Sequence, residues 1–476
     1  KNTSSKMEKS KFITLLRTFS VKELKQFNAF VASPYFNTNE ELGQFLGYIN
    51  QFAPKFSDAG LEKAQVFRAV YPNMPYDKKQ VDYHMNSLLK LAEQFLAIQG
   101  FQRDAIPFQS YTLKEFVERK LDKHYHYAYR KLDQLVTKKE ARDINSYYDR
   151  YRLANIGTDH FISQKVRRND VHLQLASDSL DQFYFLKKLQ FSCEMLNRQA
   201  MLSGNYEMRF ADEVKSFLES VEEQPPLIQI YLQIYGYFRT EEDTYFHALM
   251  GLIKAHSSKI ARQELREIFL YAINLCARKI RRGQIEMIDT ALTLYVDGIE
   301  SEAIFENGYV SHWTYSNVVK LALLRERYDW IESFIHKYTD KVAPSARADA
   351  LHYNLAELNY HKRDYGQVLD NLNQLHFTDW YYHLGSRVLL LKTYYELEEV
   401  EPLTSLLASF SVYLRRNKKV SQNMKKTCLN FCNILHKILR QPLEKIDGLR
   451  EQVKNTPLLA ERSWLLKVLD TGPSLG

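Results

Sequence analysis

The sequence predicts an all-α protein built from stacked helical hairpins, and three observations carry that prediction. Glycine (16) and proline (12) are sparse for 476 residues, whereas turn-dense β folds need more of both. Apolar residues recur at helical spacing, as in Leu24, Phe27 and Val31, and so line one helix face. Beyond residue 227 a hairpin-sized pattern returns after 43, 37 and 35 residues, the interval of helical repeats. A chain of this length holds roughly three ordinary domains unless it grows by repetition, which escapes that limit. Its many tyrosines (32) and phenylalanines (27) are expected to fill the space between helices.

Residues 7–104 are expected to form an N-terminal helical module. Ser20, with Glu23 three residues on, fits a capping box, and Pro34 stops the helix that follows. Further helices are predicted at 39–52, 61–70 and 77–98, the last capped by Asp77. The helix, turn and helix over 61–98 allow a DNA-reading motif whose polar side would carry Lys78, Lys79, Gln80, His84 and Lys90. Leu88, Leu91 and Phe95 argue for core packing instead. Residues 105–226 read as a long-helix connecting region, with one helix over 111–139 and another over 178–204 that Gly204 would stop. Repeats occupy 227–440. Two capping helices follow over 441–470, with Trp464 packed over the open end.

The repeat is clearest in NLAELNYHKRDYGQVLDNLNQL (354–375). Laid without gaps on 274–295 and 317–338, it sets Asn354 against Asn274 and Asn317, and Val368 against Ile288 and Ile331. LLKTYYELEEVEPLTSLLASF (390–410) continues the series. The stretch resembles a tetratricopeptide repeat in its Asn354-Leu355-Ala356 step, its Asp364-Tyr365 turn and the apolar spacing that follows. It departs from that family at Val368 and Leu375, where small residues are expected, and no proline closes the unit. The resemblance implies a right-handed α-solenoid of helical hairpins that binds a peptide or protein in its concave groove.

No catalytic motif stands in the chain: GxxxxGK[ST], GxSxG and HExxH are all absent from the sequence. His124 and His126 diverge around a helix and cannot share a metal. Cys428, Cys432 and His436 follow one another by one helical turn and could touch one ion. Met424, Cys428, Phe431, Leu435 and Ile438 form an apolar stripe, however, which marks the cysteines as core. No enzyme, cofactor or metal is therefore expected. The four cysteines lack a CxxC pair, no apolar run is long enough to span a membrane, and the start KNTSSKMEKSKF is polar. These features point to a cytoplasmic protein without a membrane span or secretory leader.

Two candidate sites remain. Asn274, Asn317 and Asn354 would form a ladder along one face, and their amides, both donor and acceptor, suit an extended peptide backbone. In tetratricopeptide proteins the corresponding Asn often contacts bound peptide; packing between helices would also explain it. Lys320, Tyr353, Glu357, Tyr360, His361, Lys392 and Tyr395 would share that groove. The second candidate is the stretch 402–443, which holds no Asp or Glu. Its cations are Arg415, Arg416, Lys418, Lys419, Lys425, Lys426, Lys437 and Arg440, equal in number to the whole net charge of +8. Such a face suits nucleic acid or another polyanion, although a solvated face and cations at a helix C-terminus would also account for it. The sequence supports an adaptor or scaffold that binds a protein or peptide partner, with a nucleic-acid-binding regulator as the alternative.

Overall fold

Side-chain caps fix where the N-terminal helices begin. α1 (Lys11–Leu16) starts at Ser10, α2 (Val21–Val31) at the Ser20–Glu23 capping box and α3 (Glu40–Asn50) at Asn39. α4 (Lys63–Val70) and α5 (Lys78–Arg103), the latter capped by Asp77, complete a module around Phe27, Phe45, Phe67, Leu88 and Phe95. His84 belongs to this core: it is 2% exposed and shares a 2.7 Å hydrogen bond with the Tyr71 hydroxyl. The polar face of a DNA-reading helix is thus interrupted at His84.

The computed structural model describes residues 7–57, 59–138, 142–165, 167–201, 205–376, 380–417, 420–440 and 446–471. Among these residues there are α-helices and short 3-10 turns but no β-strand. The chain divides into two compact units, the first running to Tyr184 and the second from Phe185, with residues 142 and 143 joining the second.

In the first unit, α6 (Ala105–Glu118) and α7 (Asp122–Thr137) replace the single helix expected over 111–139. The chain reverses at Lys120, whose φ is +58°. The Leu121 N–H donates to the Phe116 carbonyl and the Lys120 N–H to the Val117 carbonyl, the paired bonds of a Schellman ending. The stop was hidden because lysine, not glycine, takes the left-handed position. α8 (Ile144–Ser163) follows, and the boundary between units falls inside α9 (Val171–Met201). Gly204 lies outside the described residues.

After α10 (Ala211–Glu219) the second unit is a tandem of hairpins. They are α11 (Pro226–Thr240) with α12 (Asp243–His256), α13 (Arg262–Arg281) with α14 (Met287–Glu300), and α15 (His312–Leu323) with α16 (Tyr328–Tyr338). α17 (Pro344–His361) with α18 (Tyr365–Asn373) and α19 (Trp380–Glu396) with α20 (Val400–Arg416) continue them. α21 (Gln422–Ile438), α22 (Ile446–Asn455) and α23 (Arg462–Thr471) complete the described chain. The first helix of each hairpin ends on a left-handed residue: Glu241, Gly283, Glu326, Arg363 and Glu398. From Gly283 onward these residues reproduce the intervals of 43, 37 and 35. After the last four of them the next N–H reaches back five residues, from Gln284 to Lys279, Arg327 to Ala322, Asp364 to Asn359 and Glu399 to Tyr394. First helices pack side by side, α11 on α13, α15 on α17 and α17 on α19.

Ion pairs join one hairpin to the next in a constant order. Glu241 and Asp243 take Arg278, Lys279 and Arg282; Asp289 takes Arg325 and Arg327; Glu300 takes Lys337; Glu332 takes Lys362. In each of these pairs the acid stands one hairpin before the base.

Candidate docking face

The face is built on the first helices α15, α17 and α19, where large side chains form a floor and charged ones a rim. Tyr353 of α17 is 2% exposed and donates its hydroxyl to Glu357 Oε1 at 2.6 Å. Gly385 lets α19 approach this ring, because a Cβ there would meet Tyr353 Oη at 2.5 Å. One turn beyond Glu357, Tyr360 is buried and donates to Glu396 Oε1 at 3.2 Å. Burial beside that carboxylate raises the Tyr360 pKa far above the ordinary phenol value.

Cations lie over both rings. The Lys320 ammonium is 6.0 Å from the Tyr353 centroid, and that of Lys392 is 4.4 Å from the Tyr360 centroid. Lys392 is also 2.8 Å from Glu461 Oε2, which arrives from the turn before α23. Burial works against the charge of Glu461. The adjoining Lys392, with Lys320 and His361 further off, nonetheless holds its carboxyl below the usual range. Trp464 donates its indole N–H to Glu396 at 2.9 Å and meets the Tyr395 ring edge-on at 5.3 Å.

The structure thus gathers Lys320, Tyr353, Glu357, Tyr360, His361 and Lys392. Lys320 and His361 are exposed, Glu357 is half-buried, and Tyr353, Tyr360 and Lys392 form the floor. Tyr395, expected in the groove, is a core residue beneath Trp464. The asparagines do not share one setting. Asn354 is fully buried and donates to the Ala350 carbonyl and to Ser316 Oγ, tying α17 to α15. Asn317 is exposed and hydrogen-bonds Tyr295 of α14, and Asn274 is half-buried. All three stand nine residues before a left-handed turn residue, so their register is equal. At Asn317 and Asn354 that position faces the preceding hairpin rather than an open groove. Sequence reasoning missed Glu461 and Glu396: no periodicity links Glu461 to Lys392, 69 residues away.

The acid-free stretch separates into two ends. Arg415 and Arg416 are exposed at the C-terminus of α20, where the helix dipole favours cations. Lys425 and Lys426 are the fourth and fifth residues of α21, at the edge of its first turn, where the dipole only weakly disfavours cations. Lys437 lies at its far end, about 18 Å from Lys425 at 1.5 Å per residue, and Arg440 follows just past the helix. Lys437 donates to Gln452 Oε1 at 3.0 Å. Among the described residues none of these six cations has a carboxylate within 4 Å. Lys418 and Lys419 lie outside the described residues.

Cys428 and Cys432 are buried, which pushes their thiols up to about 11 and about 12, while His436 is exposed. Among the described residues no group of three His, Cys, Asp or Glu is placed to hold a metal ion, and no helix is long and apolar enough to cross a membrane. No family model, curated protein or solved structure matches the chain.

Proposed function

We propose that the second unit is a non-enzymatic docking platform, a tetratricopeptide-like α-solenoid that holds a protein or peptide partner against α15, α17 and α19. The convergence of Lys320, Glu357 and His361 over a buried tyrosine floor supports this most directly. A packed floor keeps the rim in place, so binding costs little side-chain ordering. Rim charges of both signs favour a partner segment that also carries both. The test is capture from host extract by the full chain and by Lys320→Glu/His361→Glu. A partner held by the wild type should be lost from the variant, with the melting temperature changed by less than about 2 °C. Equal capture by both would overturn the proposal.

The alternative is polyanion binding at the ends of α20 and α21. It is favoured by Lys425 and Lys426, which stand near the N-terminus of a helix and have no carboxylate within 4 Å among the described residues. A bound polyanion would compensate both features. Capture that nuclease abolishes, with affinity falling steeply as salt rises, is the outcome expected of this alternative.

A further inference from the structure

The α6–α7 hairpin of the first unit leaves open a groove of about 470 Å³. That volume lies in the usual range of ligand sites, about 300–1,000 Å³. Phe116 and Ala128 make its floor and rest on the hairpin's hydrophobic cluster around Leu113 and Leu132. Phe108 and Tyr127 stand on its sides, 45% and 69% exposed. Exposed aromatics scattered singly are ordinary; here Phe108, which also meets Phe101 at 5.6 Å, and Tyr127 both flank one concave apolar floor.

Charge says what would cover this floor. Lys123 and Lys131 line the groove, and no carboxylate does. Of the hairpin's own carboxylates, Glu115 holds Arg119, Asp122 accepts from Gln164 and lies 3.2 Å from His160 Nε2, and Asp133 accepts from the Thr137 hydroxyl, while Glu118 is exposed and does not line the groove. Neither Lys123 nor Lys131 has a carboxylate within 4 Å among the described residues. The two lysines are eight residues apart on α7, about 12 Å along its axis, with Tyr127 midway on the same side. On a partner helix, two positions seven residues apart are about 10.5 Å apart and share a face with the position between them.

We propose that this groove docks an amphipathic helical segment of a partner protein, with one aromatic or aliphatic anchor between two acidic residues a heptad apart. The anchor covers Phe116 and Ala128 between Phe108 and Tyr127, and the flanking carboxylates meet Lys123 and Lys131. This is helix-in-groove recognition with charge fixing the register. The site belongs to the first unit and is independent of the face on α15, α17 and α19.

The full chain is titrated with a labelled synthetic helix of about 14 residues that carries Glu at two positions seven apart and Phe between them. Fluorescence anisotropy should show binding in the micromolar range, weakening as salt rises. Lys123→Glu/Lys131→Glu should weaken it about tenfold or more without moving the melting curve. A second peptide, with Lys in place of both Glu, should prefer that charge-reversed variant to the wild type. The exchange of preference cannot come from a misfolded groove. The proposal is overturned if both peptides bind the wild type equally, or if the lysine variant binds as the wild type does. Absence of binding below about 1 mM would overturn it as well. So would lysine-dependent sedimentation with phosphatidylserine vesicles in place of peptide binding, which would make the groove a membrane-surface contact.

Discussion

Lys392 and Lys279 on one side, and Lys123 and Lys131 on the other, show two opposite uses of the same side chain. Lys392 is 6% exposed, lies over Tyr360 and pairs with Glu461. Lys279 is 3% exposed, lies over Phe246 and pairs with Asp243. Both are enclosed by the fold, and each has its ring and its carboxylate. Lys123 and Lys131 border an apolar groove and have neither carboxylate nor ordered bond among the described residues. An enclosed, compensated cation is explained by stability. An uncompensated pair beside a concave apolar floor is what the proposed helix docking would use.

The largest effect expected from breaking the enclosed arrangement is at Trp464. Trp464→Ala removes the indole that covers Tyr395 and bonds Glu396, and should destabilise the second unit by about 3–5 kcal/mol in urea unfolding. Next comes Glu461→Gln, which leaves Lys392 enclosed without its counter-charge. Because the Glu461 side chain keeps 38% of its surface accessible, the loss should be about 1–2 kcal/mol rather than that of a fully buried pair. The contrast sharpens in the first unit, where Lys123→Gln and Lys131→Gln should each stay within about 0.5 kcal/mol of wild type.

Acid provides an independent check on the enclosed pair. The folded protein holds Glu461 below its ordinary value of 4.5, so its contribution is present above that pH and lost as pH falls through the depressed value. The stability gap between wild type and Glu461→Gln should therefore close on acidification, as read by melting temperature against pH. The smallest effect concerns α21. Lys425→Glu/Lys426→Glu places carboxylates at the edge of the first turn of α21 and should stabilise the chain slightly, by about 0.3 kcal/mol. A loss of stability instead would mean that these lysines serve the fold and would weaken the polyanion alternative.

Local rules disclosed much of this molecule. The Ser20–Glu23 capping box, the cap at Asp77 and the 43-37-35 rhythm are short-range signals, and the helices obey them. The hairpin turn at Lys120 was illegible because nothing in lysine announces a left-handed residue; tertiary packing of α6 on α7 imposes it. The candidate site was legible where it lay on consecutive first helices, as at Lys320, Tyr353 and His361. Equal register did not fix equal burial. Asn354 on α17 is closed off by α15, while Asn317 on α15 meets α14 and remains open. Glu461 joins from a distant turn that no pattern ties to α19.

The order of the ion pairs between hairpins gives the tandem a direction. An acid at Glu241, Asp289, Glu300 or Glu332 always looks forward along the chain to a base on the following hairpin. Each hairpin in this run is a coupling with unlike ends, so copying one in sequence would reproduce the complementary ends. Turning one around would set acid against acid and base against base. Assembly errors between neighbouring hairpins are thereby penalised in one orientation only, and raised salt should relax that discrimination before it loosens the apolar packing beneath.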